Sequence, residues 1–189
     1  RPRKERENHQ EVCMATRRYK AKEAIVFFKV KEAWGELSNM APGFPIVVGR
    51  VRASSSEALY QALRFPDYPE VQRRVLSLPA WQSKQEARSN VALTRPDWER
   101  VRVAAMRWVL RLKAAQHPRF REVLLATGER PIVELSYKDG FWGARPEGEF
   151  LVGVNALGRL LMELREELRN GELKIVPPPG AKLLGVEVR

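Results

Sequence analysis

The segment PIVELSYKDGFWGARPEGEFLVGVNALGRLLMELR, from Pro131 to Arg165, carries more information about the fold than any other part of the chain. It opens with PIVEL, which has the composition of a β-strand, and closes with an amphipathic helical pattern. Four polar or aromatic residues lie around the turns ahead of this helix: Glu134, Asp139, Trp142 and Asn155. Carboxylates and an indole on turns usually face a ligand.

The closing pattern predicts a helix that extends beyond this segment. Apolar residues recur every three or four positions from Ala156 to Leu168, with Asn155 ahead of them and Gly171 after them. Asparagine is a common N-cap and glycine a common residue just past a helix end. The sequence therefore predicts a terminal amphipathic helix with Asn155 as its N-cap.

Upstream, two short β segments precede a series of helices. The runs AIVFFKV, residues 24–30, and IVVGRVRA, residues 46–53, are β-branched and apolar, so each predicts one strand. Helical spacing follows in SSSEALYQALRF, residues 54–65, in residues 71–76, and in residues 98–112, which predict the central helix. We expect a mainly α fold, that is, α+β with a small β element.

The length of 189 residues predicts one domain with two extensions. Residues 1–22 are polar and lack periodicity, which indicates a basic, poorly ordered N-terminal arm. Residues 23–170 form the predicted domain. Residues 171–189 contain PPPG between two short apolar pieces and predict a C-terminal ribbon or extension.

The net charge of +11 favours a polyanionic partner such as nucleic acid or a pyrophosphate ligand. The arm holds eight Lys or Arg against three Glu, so about half of the excess lies in the remaining residues. Arg100, Arg107 and Arg111 fall on one side of the central helix. This stripe is interpreted as a solvated face, with a phosphate track as the alternative.

The scarcity of Cys and His excludes several kinds of site. Cys13 is the single cysteine, so neither an intramolecular disulfide nor a cysteine zinc site is available. Of the two histidines, His9 lies in the arm and His117 at a predicted helix end. We expect no metal and no cofactor. No apolar run is long enough to span a membrane, and the default localisation is cytoplasmic.

The candidate site combines the turns after PIVEL with the helix of residues 54–65. Glu57 and Gln61 are four residues apart and project from one helix face, bordered by Tyr60 and Arg64. Each signal has a structural alternative. Glu57 could complete a capping box with Ser54, Glu134 could be the outward residue of an edge strand, Asp139 an ordinary turn residue, and Trp142 a core aromatic.

Four segments in sequence order resemble the NADAR family, also called YbiA-like. They are GELSNM at residues 35–40, S-E-x-x-Y-Q-A-x-x-F at 56–65, R-x-x-W at 95–98, and E-x-S-x-x-D-x-x-W-G followed by N-x-L-G-x-L-L-M-x-L-R at 134–165. The resemblance covers the chain from about Ala24 to Arg169. Met40 and Ala58 stand where similar proteins often have an aromatic residue and a histidine.

The resemblance implies a mainly helical single domain that hydrolyses an N-glycosidic bond between a ribose and a base or exocyclic amine. It implies catalytic roles for Glu57, Asp139 and Trp142, with Lys29 as a further candidate. It implies that other residues shape or line a ligand site: Ser38, Asn39, Tyr60, Gln61, Gly143, Asn155 and Gly158.

Two substrate classes are associated with such proteins. The first is ADP-ribose on guanine in DNA, where the domain is an antitoxin and a DNA ADP-ribosyltransferase toxin its functional partner. The second is the ribosylamino-pyrimidine phosphates of riboflavin biosynthesis. The positive charge favours the first. A third hypothesis is a binding module for ADP-ribose or nucleic acid that does not turn over its ligand.

The residue types suit glycosidic cleavage. Breaking the C–N bond creates oxocarbenium character at the anomeric carbon, which a carboxylate can stabilise while an acid protonates the leaving nitrogen. We expect Glu57 to be the base or cation stabiliser and Asp139 its partner, or the reverse. Trp142 offers a flat surface for a base or ribose, and Asn39, Asn155 and amides at the start of the last helix could hold a phosphate.

Overall fold

Nine short strands and six α-helices follow one another along residues 14–189, which the computed structural model describes. The helices are Ser56–Ala62 (α1), Pro69–Ser77 (α2), Ala80–Ser89 (α3), Trp98–Gln116 (α4), Pro118–Ala126 (α5) and Ala156–Asn170 (α6). The strands are Arg17–Lys20 (β1), Ile25–Phe27 (β2), Ile46–Val48 (β3), Val51–Ala53 (β4), Ile132–Glu134 (β5), Arg145–Glu147 (β6), Phe150–Gly153 (β7), Lys182–Leu183 (β8) and Val186–Glu187 (β9).

Two small sheets support the region where β5 ends. Strands β2 and β5 pair in parallel, with Phe27 opposite Glu134. Strands β1, β7 and β6 form an antiparallel sheet in that order. Val133 and Leu151 belong to a small apolar cluster shared by the two sheets. The carboxyl ends of β2 and β5 are therefore held side by side, and the turns that follow them start from the same edge.

The helices bury the main core against the β2–β5 pair. Helix α1 contacts α2, α3 and α4, and α6 packs on α4, α5 and β5. Phe65, Leu110 and Phe120 are among its fully buried side chains. The C-terminal segment covers this core from outside, because Gln72 donates a hydrogen bond to the Lys182 carbonyl (2.8 Å) and accepts one from the Leu184 amide (2.8 Å).

The fold is α+β, which agrees with the predicted helical domain containing a small β element. The predicted strands at residues 24–30 and within PIVEL are confirmed as β2 and β5, and the terminal helix is confirmed as α6. The single strand predicted for residues 46–53 is wrong. The chain reverses at Gly49 and Arg50, so this run forms the antiparallel pair of β3 and β4.

The structure corrects two further expectations, one about the N-terminal arm and one about the start of α1. Residues 1–13 of the predicted arm lie outside the described residues, but Arg17–Lys20 is ordered as β1 along β7. The predicted capping box of Ser54 and Glu57 is wrong, because Ser55 caps α1 by accepting a hydrogen bond from the Ala58 amide (3.1 Å). Ser54 instead donates to the Leu78 carbonyl. The Glu57 carboxyl is therefore not used as a cap.

The arginine stripe on α4 is neither a solvated face nor a phosphate track over most of its length. Arg107 pairs with Glu163 at 3.0 Å, and Arg111 pairs with both Glu163 and Glu167. Both glutamates lie on α6, so these ion pairs join two packed helices. The sequence could not reveal them, because the partners are more than 50 positions apart in the chain.

Asn155 joins α6 to β5 in a way that a simple N-cap does not. Its backbone is left-handed (φ 51°) and its side chain makes no capping hydrogen bond. The side chain instead accepts a hydrogen bond from the Glu134 amide (3.1 Å) and donates one to the Ile132 carbonyl (2.9 Å). Asn155 is fully buried. It therefore fixes where α6 begins relative to the end of β5.

We predict that Asn155→Ala lowers the free energy of unfolding by about 2 to 4 kcal/mol, since two buried backbone groups lose partners and alanine strains a left-handed backbone. Asn155→Gly should lose less, because it removes only the hydrogen bonds. Asn170→Ala, at the exposed end of α6, is the matched control. Urea titration measures the three values; equal stability of Asn155→Ala and the control would contradict the assigned role.

Candidate active site

A cavity of about 320 Å³ lies between α1, α3, α4 and the turns after β5. Its walls carry four carboxyl groups, from Glu57, Glu99, Glu134 and Asp139. They also carry three cations, which belong to Arg64, Lys84 and Arg102. A pocket with both charge types can bind an anionic ligand and still present carboxyl groups to it.

Glu57 enters the cavity from the first turn of α1. Its side chain is 7% exposed and accepts a hydrogen bond from the Gln61 amide nitrogen (2.8 Å). Burial raises the pKa of Glu57, while the Gln61 hydrogen bond and the charges of Lys84 and Arg64 oppose that rise. The pKa of Glu57 therefore lies above its ordinary value, although a hydrogen bond and two cations favour the ionised form.

Glu134 approaches from the end of β5 and has a contrasting environment. Burial, followed by the negative charges of Asp139 and Glu57, raises its pKa to about 7 against a weaker opposing effect of Lys84. Because Glu134 lines the cavity, the interpretation of it as an outward residue of an edge strand is wrong. At neutral pH a carboxyl with this pKa is protonated about half of the time and can act as an acid.

Asp139 lines the cavity and also organises the turn that carries Trp142. Its Oδ1 accepts hydrogen bonds from the amides of Phe141 (2.8 Å) and Trp142 (3.0 Å), while its own amide donates to Ser136 Oγ (2.9 Å). Asp139 is exposed, unlike Glu57. One of its oxygens is committed to the turn, which leaves Oδ2 to face a ligand.

Aromatic residues form one wall of the cavity. Tyr60 contacts Trp142 edge to face, with ring centroids 5.7 Å apart, and Trp98 at 5.1 Å. The guanidinium of Arg102 lies 3.7 Å from the Phe141 ring centroid. Burial, followed by the charge of Glu57, raises the pKa of Tyr60, so its hydroxyl stays neutral. The indole of Trp142 is thus held in one orientation beside the carboxyl groups.

The GELSNM loop contributes polar groups to the cavity, and Lys113 holds this loop in place. The Lys113 ammonium is fully buried and donates to the carbonyls of Glu36 (2.8 Å) and Ser38 (3.2 Å). Burial lowers the pKa of Lys113 to about 7. Asn39 lines the cavity, and its Oδ1 is buried with no hydrogen-bond partner in the described part of the chain. A bound ligand could donate to this oxygen.

Seven predicted site residues meet at the cavity: Ser38, Asn39, Glu57, Tyr60, Gln61, Asp139 and Trp142. Gly143 and Gly158 lie behind its wall. A Cβ at Gly143 would stand 2.7 Å from the Glu134 carbonyl, and one at Gly158 would stand 2.2 Å from the Ile132 carbonyl. Lys29 is exposed, with its ammonium 5.9 Å from the centroid of the Phe28 ring.

The phosphate site expected at the start of α6 is corrected by the structure. Asn155 uses its side chain to hold β5. The amides of Ala156 and Leu157 already donate to the carbonyls of Phe141 (2.9 Å) and Trp142 (3.0 Å). The first turn of α6 therefore shapes the cavity wall and has few free donors for an anion.

Several residues that line the cavity were not predicted from the sequence. Trp98, Arg102 and Met106 are spaced by four on α4, and this spacing could have indicated a shared face. Lys84 belongs to α3, whose sequence AWQSKQEARS has no strong apolar periodicity. Among residues 14–189, no cluster of three His, Cys, Asp or Glu side chains could hold a metal ion. No helix in that range is long and apolar enough to cross a membrane.

Comparisons with known proteins match the domain that contains the cavity. The NADAR domain family matches residues 26–169. The N-glycosidase YbiA of Escherichia coli is 38% identical over 146 residues, which cover 76% of this chain and 88% of that protein. The NMR structure of E. coli YbiA superimposes with a TM-score of 0.68 at 33% identity, covering 80% of this chain and 89% of the other.

Two other relatives show the range of the similarity. An N-glycosidase of Nostoc punctiforme is 35% identical, with coverage of 77% of this chain and 93% of that protein. A riboflavin biosynthesis protein of Vibrio vulnificus is 35% identical over 158 residues, or 84% of this chain. The match spans only 42% of the Vibrio protein.

We predict that Glu134→Gln becomes more stable than the parent as pH rises. The folded-state pKa of about 7 exceeds the ordinary value of 4.5, so the parent loses stability between these pH values while the amide does not. We expect a difference of about 1 to 3 kcal/mol near pH 8 and almost none near pH 4. Urea titrations at both pH values measure it, with exposed Glu147→Gln as the control; a pH-independent difference would contradict the assigned burial.

Proposed function

The chain belongs to the NADAR domain family, and we propose that it removes ADP-ribose from guanine bases in DNA. It is a hydrolase of N-glycosidic bonds, the activity that its E. coli and Nostoc relatives carry in their names. The observation that supports a catalytic site most directly is the meeting of Glu57 and Glu134 in one cavity beside Trp142.

Buried Glu57 and half-buried Glu134 divide the acid and base roles. Glu134, with a pKa of about 7, gives its proton to the leaving nitrogen. Burial raises the pKa of Glu57, and Gln61 with the nearby cations opposes that rise. In its ionised form Glu57 stabilises positive charge at the anomeric carbon or activates the attacking water. Asp139 keeps a partner role, with Oδ2 directed to a ribose hydroxyl. This revises the expected pairing of Glu57 with Asp139.

The cations of the cavity favour a substrate that carries phosphate. Arg64 and Arg102 each have a buried Nε without a hydrogen-bond partner among the described residues. The positive charge of Lys84 acts to lower the pKa of both Glu57 and Glu134. A pyrophosphate placed against these groups would bring the attached ribose to the carboxyl pair. In this scheme Trp142 stacks on the base or ribose.

DNA is favoured over a free nucleotide by charge. The net excess of +11 is larger than one small substrate requires, and it assists association with a polyanion. An enzyme of this kind would reverse the action of a DNA ADP-ribosyltransferase, which is its proposed functional partner.

A second candidate is the hydrolysis of ribosylamino-pyrimidine phosphates. It is favoured by the Vibrio relative and by a maize relative, both named riboflavin biosynthesis proteins. The chain spans 42% and 25% of these two proteins, respectively. The cavity volume of about 320 Å³ also lies in the range for small-molecule ligands.

We predict that Glu57→Gln keeps the fold but lowers kcat by about 10²- to 10⁴-fold, the usual effect of losing a positioned acid or base. Mass spectrometry would follow release from ADP-ribosylated guanine DNA and, separately, from a ribosylamino-pyrimidine phosphate. Release from only one of them identifies the substrate class. Glu70→Gln, which changes an exposed carboxyl of α2, is the control. If Glu57→Gln turns over substrate at the parental rate, Glu57 has no part in the mechanism. If the parent turns over neither substrate, a binding module is favoured.

We also predict that kcat falls above about pH 7, by about tenfold per pH unit, because Glu134 loses the proton that the leaving nitrogen needs. In Glu134→Gln the rate should be low and this descending limb absent. Steady-state rates between about pH 5 and pH 9 provide the comparison. If the variant retains the same descending limb, another group supplies the proton.

A further inference from the structure

Helix α3 presents an exposed tryptophan beside the cavity. Trp81 is 59% exposed, which is unusual for a side chain of this size and apolarity. Lys84 follows at three positions and Arg88 at seven, so all three lie on one side of the helix. We call Trp81, Lys84 and Arg88 the α3 flank. Its middle residue, Lys84, lines the cavity, with the Trp81 indole on one side and the Arg88 guanidinium on the other.

A pair of exposed aromatic rings lies where β2 and β5 end. Phe28 is 41% exposed and Tyr137 is 64% exposed, and their ring centroids are 5.6 Å apart at an angle of 76°. Tyr137 directly follows Ser136 and stands two residues before Asp139, both of which line the cavity. We call this pair, together with the neighbouring Lys29 and Lys138, the β5 flank.

The exposed cations on both flanks lack carboxylate partners. Within residues 14–189, no ion pair involves Lys29, Lys138 or Arg88, whereas Arg107 and Arg111 of α4 are paired with α6. Unpaired cations that alternate with exposed rings are the features with which proteins hold single-stranded nucleic acid. The rings stack on bases and the cations contact phosphates.

We propose that the two flanks bind a single strand of nucleic acid on either side of the modified nucleotide, whose ribose enters the cavity. Trp81 stacks on a base at one side, and Phe28 with Tyr137 stacks on a base at the other. Arg88, Lys29 and Lys138 contact the phosphates. The inference rests on the proposed function, because the cavity must take one ribosylated base out of a strand. A membrane surface is disfavoured, since the exposed rings are separated by cations and form no continuous apolar face.

The first test measures binding without turnover. Fluorescence anisotropy with an unmodified oligothymidylate of about 15 nucleotides should give a Kd that rises roughly 10-fold in Trp81→Ala and again in Tyr137→Ala. Trp81→Phe should recover most of the affinity. Arg88→Ala should reduce the salt dependence by about 0.7 in the log–log slope, whereas Arg50→Ala, an exposed cation of the β3–β4 turn, should leave it unchanged.

Three outcomes would overturn the proposal. They are no binding by the parent, a Kd changed less than twofold in both ring variants, and binding to vesicles of anionic phospholipid that the same substitutions abolish. The last outcome would indicate a membrane surface.

A second readout separates this inference from the proposed function. On an ADP-ribosylated oligonucleotide, Trp81→Ala should lower kcat/KM about 10-fold, and on ADP-ribosylated guanosine it should leave kcat/KM unchanged. Equal loss on both substrates would contradict a role in strand binding. If the parent hydrolyses neither substrate but still binds oligothymidylate through the two flanks, the proposed reaction fails and the strand-binding surface stands.

Discussion

The side chain of Asn155 is the contact on which the architecture of the cavity depends. It ties the last residues of β5 to the first turn of α6 through the Ile132 carbonyl and the Glu134 amide. The turn between these elements is closed by hydrogen bonds from the α6 amides to the carbonyls of Phe141 and Trp142. Since these backbone groups are satisfied internally, the turn can present its carboxyl and indole side chains without rearrangement.

The opposite wall depends on a different buried group. Lys113 is surrounded by Phe44 and Phe120, with its ammonium 4.7 and 4.3 Å from their ring centroids, and it donates to two carbonyls of the GELSNM loop. A buried ammonium is costly unless its donors are used. Moving the GELSNM loop away would leave the Lys113 ammonium without these acceptors, so Lys113 holds the loop in place. Asn39 therefore stays beside Glu57, whose backbone amide donates to the Asn39 carbonyl at 3.2 Å.

The different surroundings of Glu57 and Glu134 make the site suitable for N-glycosidic cleavage. Glu57 has a hydrogen-bond donor four residues away on its own helix, while Glu134 faces two other carboxylates. Burial raises the pKa of both side chains, and their different neighbours allow one to act as the acid and the other as the base. The same cavity carries cations that can compensate a phosphorylated substrate, so binding and chemistry use charges of opposite sign.

Local signals in the sequence determined the elements and one half of the site. The spacing of apolar residues defines α6 and most of α4, and the separation of four places Gln61 beside Glu57 on α1. The sequence could not assign Lys84 to the cavity or the acid role to Glu134, nor show that Asn155 holds β5 and that Arg111 pairs with α6. Those assignments depend on burial and on contacts between distant segments, and a pKa follows from what surrounds a group after folding. Only the tertiary structure decides them.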